Sequence, residues 1–164
     1  MEDFLDLLNQ VWTSGFLGIS MSEVLISLFI LIVSLIFRGV FANVGVNSLK
    51  KLTSRTETEL DDILLDSLKK PLGFIPITIG IYLITIFLPL SGLIDLIATN
   101  LVKALIVYTI FSALSNLVSP LFSILSNNTW LTTAMSVWLE RSSKVLVWVI
   151  GLAIILDIFG IEIG

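Results

Sequence analysis

Long uncharged apolar runs, separated by short polar segments, dominate the chain. One extends from Val24 to Phe37 and another from Pro71 to Ile94, and two more begin near Leu101 and Val145. A helix that crosses about 30 Å of hydrocarbon needs roughly 20 predominantly apolar residues. The pattern therefore predicts four membrane-spanning helices, at 22–41, 72–90, 101–121 and 145–160, the last of them extended by part of the preceding "WLERSSK".

The N-terminal segment 1–21 shows helical spacing of a different kind. A stripe of apolar side chains lies opposite Asp3 and Asp6, which predicts an amphipathic helix on the extracytoplasmic membrane surface. A frayed tail is the alternative. The stripe consists of Phe4, Leu5, Leu8, Val11 and Trp12.

These elements predict an all-α, polytopic membrane protein with two helical hairpins. The first hairpin, 22–90, contains an amphipathic connector at 53–71, and the second, 101–164, contains a connector at 123–144. An extracytoplasmic loop, 91–100, joins them. A shift of 71 positions places Gly80 on Gly151 and Ile84 on Ile155. Such matches arise easily between apolar segments, so duplication and chance both stay open.

Composition narrows the possible classes of function. The chain has 164 residues, of which 56% are hydrophobic and 13% charged, whereas soluble domains carry about 25% charged residues. It contains neither cysteine nor histidine, which excludes disulfides, thiolate nucleophiles and zinc sites built on Cys or His. The formal net charge of −4 argues against a nucleic-acid partner.

The basic residues predict the orientation. Cytoplasmic loops carry the excess of Lys and Arg, and an extracytoplasmic N-terminus leaves only Lys103, at the start of the third predicted span, on the outer side. With Trp130 and Trp138, the basic residues on the inner side are the candidates for contact with membrane lipids. They are Arg38, Lys50, Lys51, Arg55, Lys69, Lys70, Arg141 and Lys144.

The connector "TSRTETELDDILLDSLKKP", Thr53–Pro71, holds eight charged side chains between two apolar runs. Thr56 and Glu59 have capping-box spacing, and Pro71 suits the first turn of a helix. The pattern predicts one short surface helix that ends at Pro71, whereas Pro76 is expected to kink the span that follows. Its apolar stripe is Leu60, Ile63, Leu64 and Leu68.

The acidic cluster Asp61, Asp62 and Asp66 raises the question of metal chemistry. Asp62 and Asp66, four residues apart, share a helix face and could chelate Mg²⁺. Membrane prenyltransferases hold pyrophosphate with comparable clusters, but they need two, and no second cluster occurs here. The sequence therefore predicts no catalytic residue, no metal site and no cofactor, and a protein that is not an enzyme.

The connector, followed by a span, resembles that of multi-span members of the small-conductance mechanosensitive channel family. The tail "VWLERSSKVLVWVIGLAIILDIFGIEIG" resembles the helix that precedes the pore-lining helix of that family. The resemblance covers about Leu35 to Gly164. It implies a prokaryotic inner-membrane protein, homo-oligomeric (a heptamer) in the complete channel, whose Leu60–Leu68 helix and Pro71 belong to a tension sensor.

In that family a Gly- and Ala-rich pore helix and a cytoplasmic vestibule come next, beyond Gly164. The expectation is therefore a fragment that carries the tension-sensing region without the pore, within a channel that releases ions and small solutes under osmotic stress. Two other classes stay open: a non-catalytic assembly or transport subunit, and a membrane prenyltransferase-like enzyme.

Overall fold

The computed structural model describes residues 19–53, 59–128 and 132–162, without the side chains of residues 52–53, 59–61 and 126–128. The all-α prediction is confirmed for this part of the chain. The expected surface helix at 1–21 lies almost wholly outside it. The helices are α1 (Met21–Thr53), α2 (Glu59–Ser67), α3 (Lys69–Leu72), α4 (Phe74–Phe87), α5 (Gly92–Asn128) and α6 (Thr133–Ile158).

Three helical segments are long and apolar enough to cross a membrane: Met21–Lys51, Lys69–Phe87 and Gly92–Leu125. They indicate a membrane protein. The predicted count of four spans is not confirmed, because α6 includes Glu140, Arg141, Lys144 and Asp157, and the uncharged stretch between Lys144 and Asp157 is shorter than the roughly 20 residues that a span needs.

Several predicted boundaries are wrong because helices continue past the apolar runs that were used to find them. Helix α1 does not end at 41, as predicted, but continues to Thr53. Helix α5 begins at Gly92, so most of the expected loop 91–100 is helical and the turn is 88–91. Helix α5 also continues through Pro120 to Asn128. Most of the expected connector 123–144 is helical, because α5 continues to Asn128 and α6 begins at Thr133. Helix α6 includes "WLERSSK", into which the last span was predicted to extend.

The connector is two helices, not the single helix predicted. The chain turns at Leu68, forms α3, and turns again at Gly73 before α4 begins. Proline lacks an N–H and its ring clashes with the carbonyl four residues earlier. For Pro76 that carbonyl belongs to Leu72, the last residue of α3. The predicted effect of Pro76 is thus seen as a break between α3 and α4.

Side-chain hydrogen bonds cap the N-terminal ends of α1 and α6. At the start of α1, the Ser20 N–H donates to Glu23 Oε2 (2.8 Å) and the Glu23 N–H donates to Ser20 Oγ (3.3 Å), which is a capping box that the sequence analysis missed. Thr132 Oγ1 accepts from the Met135 N–H at the start of α6. Helix α6 ends at Ile158, and two residues later Gly160 has a positive φ of 77°, which favours glycine.

The helices meet through small side chains, while large apolar side chains face outward. The largest exposed fractions include Leu93 at 70%, Ile36 at 67% and Phe29 at 66%. This inversion of the soluble pattern fits a lipid environment, where close contact between helices depends on small residues. The buried side chains at the interfaces include Ala42, Val46, Val102, Ala104, Val118, Ser34, Ser112 and Ser115.

Two antiparallel pairs form the bundle: α1 packs on α4, and α5 packs on α6. Each pair has a glycine at its closest contact. A Cβ on Gly80 would lie 2.7 Å from Ser34 Cβ, and a Cβ on Gly151 would lie 2.8 Å from Phe111 Cγ. Contacts between α4 and α5 join the two pairs.

Two of the four pairs of helix bounds follow the 71-residue shift seen in the sequence. Gly92, the first residue of α5, comes 71 positions after Met21, the first residue of α1, and Ile158 comes 71 positions after Phe87, the ends of α6 and α4. Gly80 and Gly151, which the same shift superposes, are both buried against the partner helix of their pair, although the shift does not superpose the residues they contact, Ser34 and Phe111. The two hairpins are therefore similar in two helix boundaries and in a buried glycine, in addition to the few sequence identities.

Candidate functional site

The connector helix α2 is held against the end of α1 by a three-residue ion cluster. Lys50 Nζ lies 3.2 Å from Asp62 Oδ1 and 3.1 Å from Asp66 Oδ1. The four-residue spacing of the two aspartates puts both on the face that meets α1. Both aspartates are more than 60% exposed, so solvent screens each pair and leaves it only a small effect on stability. The cluster therefore sets the position of α2 against α1 more than it raises the free energy of unfolding.

The same two aspartates were the candidate Mg²⁺ ligands, and both bind the Lys50 ammonium. In the described part of the chain, no three His, Cys, Asp or Glu side chains come together as metal ligands. The side chains of Leu60 and Asp61, the third member of the acidic cluster, are not described, and the expected Thr56–Glu59 capping box falls on Thr56, outside the described residues, and on the undescribed side chain of Glu59.

The apolar face of α2 is only partly covered. Helix α2 contacts both α1 and α5. Leu64 and Leu68 are half-buried, and Leu65, which the predicted stripe omitted, is half-buried too. Ile63 was predicted to lie in the stripe, but 51% of it is exposed. The side of α2 that packs against the other helices therefore includes Leu64 and Leu65, whereas Ile63 faces away from them.

The junction between connector and span is closely packed. Pro71 is fully buried. A Cβ on Gly73 would lie 3.2 Å from Arg38 Cγ, and the Arg38 guanidinium carbon lies 5.6 Å from the centre of the Phe74 ring. A cation over an aromatic face is attracted by the ring quadrupole. Arg38, predicted to contact lipid, therefore also connects α1 to the first residue of α4.

From Phe74, aromatic contacts continue across the bundle. The Phe74 and Tyr108 rings are 5.1 Å apart in an edge-to-face arrangement, and the Tyr108 and Trp148 rings are 5.5 Å apart and tilted by 46°. We call Arg38, Phe74, Tyr108 and Trp148 the aromatic row. It joins α1, α4, α5 and α6, and aromatic pairs of this kind contribute about 0.5–1.5 kcal/mol beyond their area burial. No local pattern in the sequence signals it.

Comparisons with protein-family models, with curated proteins and with solved structures found no match.

In the second hairpin, a polar contact between Glu140 and Ser119 holds α6 to α5. Glu140 Oε1 accepts from Ser119 Oγ at 2.7 Å and from Lys144 Nζ at 2.8 Å. The Lys144 ammonium, and next the Ser119 hydroxyl, lower the pKa of the Glu140 carboxyl below its usual value. Sequence analysis treated Lys144 only as a lipid contact and did not single out Glu140 or Ser119.

The remaining interface candidates are exposed or undescribed. The side chains at Lys51, Lys69, Lys70 and Arg141 are exposed, and Trp138 is 70% exposed, as a lipid-facing residue would be. Arg55 and Trp130 lie outside the described residues. The structure therefore separates the predicted set into residues that join helices (Arg38 and Lys50), Lys144, which pairs with Glu140 within α6, and residues on the surface.

Proposed function

We propose that the chain is the membrane-embedded, tension-sensing region of a mechanosensitive ion channel. The observation that carries the proposal is the attachment of the connector. It is bound to α1 through Lys50, packs on α5, and is joined to α4 through the tight junction at Pro71, Gly73 and Phe74. Its resemblance to the connector of the small-conductance family supports the same reading.

The physical basis is a change of in-plane area. Helices with exposed apolar sides occupy more membrane area when they tilt, and tension favours the conformer with the larger area. A load shifts an equilibrium only when it acts differently on the two states. Because the aromatic row joins all four long helices, tilting of one hairpin would be transmitted to the other.

In this proposal the protein lies in a prokaryotic inner membrane, with an extracytoplasmic N-terminus and the connector on the cytoplasmic side. It acts within a homo-oligomeric channel, a heptamer by the resemblance, that releases ions and small solutes under osmotic stress. No residue is assigned to a pore, to catalysis or to a cofactor. The basic asymmetry supports the orientation.

Spin-label distances test the proposal directly, because the chain has no native cysteine. Labels on I63C in α2 and L121C in α5, both exposed positions, report the connector against the second hairpin. Adding lysolipid to one leaflet should change this distance distribution. The control pair I110C and L121C, within α5 alone, should not change.

An I63C–L121C distribution that is the same with and without lysolipid would overturn the sensor proposal. If the distance is unchanged and the chain stably binds one defined partner protein, the assembly-subunit alternative is favoured. A Mg²⁺-dependent thermal shift that disappears in the D61N/D62N/D66N variant would favour the enzyme.

A further inference from the structure

A groove between α4 and α5 lies apart from the connector and the aromatic row. Its volume is about 630 Å³, within the usual range of small-molecule sites. It extends along Ile75–Thr85 of α4 and Thr99–Ile110 of α5. Both stretches belong to helical segments long and apolar enough to span a membrane, so the groove lies at membrane depth.

The walls of the groove are almost entirely apolar. Four threonines line it, and the hydroxyls of three donate within their own helices: Thr78 Oγ1 to the Phe74 carbonyl, Thr85 Oγ1 to the Tyr82 carbonyl, and Thr109 Oγ1 to the Leu105 carbonyl, at 2.7–3.0 Å. Because these hydroxyls already donate within the protein, a molecule in the groove needs few polar groups to pair with them. Such a surface suits a hydrocarbon chain.

Among the residues that the structure describes, Lys103 is the only charged one that lines the groove. The sequence placed it at the outer end of a span that starts near Leu101, but α5 begins at Gly92, so Lys103 lies about 16 Å along the helix. The ion pairs between described residues join Lys50 to Asp62 and Asp66 and Lys144 to Glu140, and none involves Lys103. Ionisable residues within spans are costly and mark functional sites.

We propose that this groove binds a phospholipid with an anionic headgroup. One acyl chain lies along the apolar walls, and the Lys103 ammonium, reaching outward on its flexible stem, pairs with the phosphate. Charge complementarity selects an anionic lipid, because the groove offers one cation and no lining carboxylate. The inference concerns a site apart from the connector and does not depend on the channel proposal.

Native mass spectrometry of the full chain, released from detergent, tests the site. The probes are phosphatidylglycerol and phosphatidylcholine with identical acyl chains. Wild type should retain the anionic lipid with about a five- to tenfold preference. K103Q should lose this preference, whereas K103R, the control that keeps the positive charge at the same position, should keep it.

A second variant locates the lipid. I106W puts a bulky side chain into the groove lining and should lower retention of both lipids, whereas a tryptophan at Leu121, which does not line the groove, should not. Circular dichroism establishes which variants are folded. If K103Q does not fold, the wild-type preference and the I106W result still decide.

Three outcomes would overturn the proposal. One is equal retention of the two lipids by wild type. Another is an unchanged preference in folded K103Q, which would reduce Lys103 to a non-specific headgroup contact. The third is a dimer that persists after lipid removal and disappears in I106W, which would make the occupant a second copy of the chain.

Discussion

Individual small residues set how closely the helices approach. Gly80 and Gly151 are buried where α4 meets α1 and where α6 meets α5, and no other side chain fits there without movement. Gly39, in contrast, has nothing within 4 Å of a built Cβ. The two kinds of glycine look alike in the sequence, and only the neighbouring helix distinguishes them.

G80A should therefore destabilise the protein by about 1–3 kcal/mol, because the new methyl group overlaps Ser34. G39A should stabilise it by about 0.5–1 kcal/mol, as alanine does in open helix positions. The measurement is thermal unfolding in one detergent. Transferring the Cβ to the other helix, in S34G/G80A, should recover much of the loss; no recovery would show that the α1–α4 contact is not as described.

Glu140 gives a residue-scale prediction on pH. Its folded pKa lies below the unperturbed value of 4.5 because of Lys144 and then Ser119. The folded state therefore binds the proton less tightly, so the contribution to stability is complete above about pH 4.5 and is lost as the pH falls through the folded pKa.

E140Q should be less stable than wild type at pH 7 by about 0.2–1 kcal/mol, the range for partly exposed pairs. The difference should disappear in acid. Denaturant titrations of both proteins at several pH values measure it. A difference that stays constant from neutral to acidic pH would mean that the Glu140 charge is not responsible.

At the scale of elements, the connector is the part of the chain whose mechanics can be tested separately. Helix α2 places Leu64 and Leu68 against its neighbours and leaves Ile63 largely exposed. Substitutions on its two faces should therefore differ in effect although they are one residue apart in sequence.

In a complete channel that contains this region, L64N/L68N should change the tension threshold. Full burial of a leucine contributes about 1.5–3 kcal/mol, and half-burial about half of that, which is comparable to typical coupling energies between sites. The direction of the change does not follow from the structure. Patch-clamp in a defined bilayer measures it, with I63N as the control that should leave the threshold unchanged. Equal thresholds in all three channels, at normal expression, would make the connector passive.

At the scale of the whole molecule, the placement of charge predicts the topology. The connector and the 88–91 turn lie at opposite ends of α4, so they belong on opposite sides of a membrane. A single cysteine at Ser91, an exposed position, should react with an impermeant reagent added outside intact cells, and a cysteine at Ser48 should react only after lysis. Labelling of the Ser48 variant from outside would reverse the proposed orientation.

The sequence by itself determined the properties that depend on local composition. Apolar runs such as Val24–Phe37 fixed the helical class and the membrane environment, because hydrocarbon requires each backbone polar group to bond within its own helix. Pro76 marked the break before α4, and the four-residue spacing of Asp62 and Asp66 put them on one face. These inferences need only neighbours within about one helical turn.

Only the tertiary structure decided which distant residues meet. The aromatic row takes one residue from each of four helices, and Lys103 became a groove residue because α5 starts nine positions before the predicted span and lies beside α4. Helix ends were misplaced for a related reason: polar residues such as those of 42–53 and 122–128 can continue a helix when packing and backbone hydrogen bonds favour it. Hydropathy reports the cost of leaving water for hydrocarbon, whereas pairing depends on the fit of surfaces that are far apart in sequence.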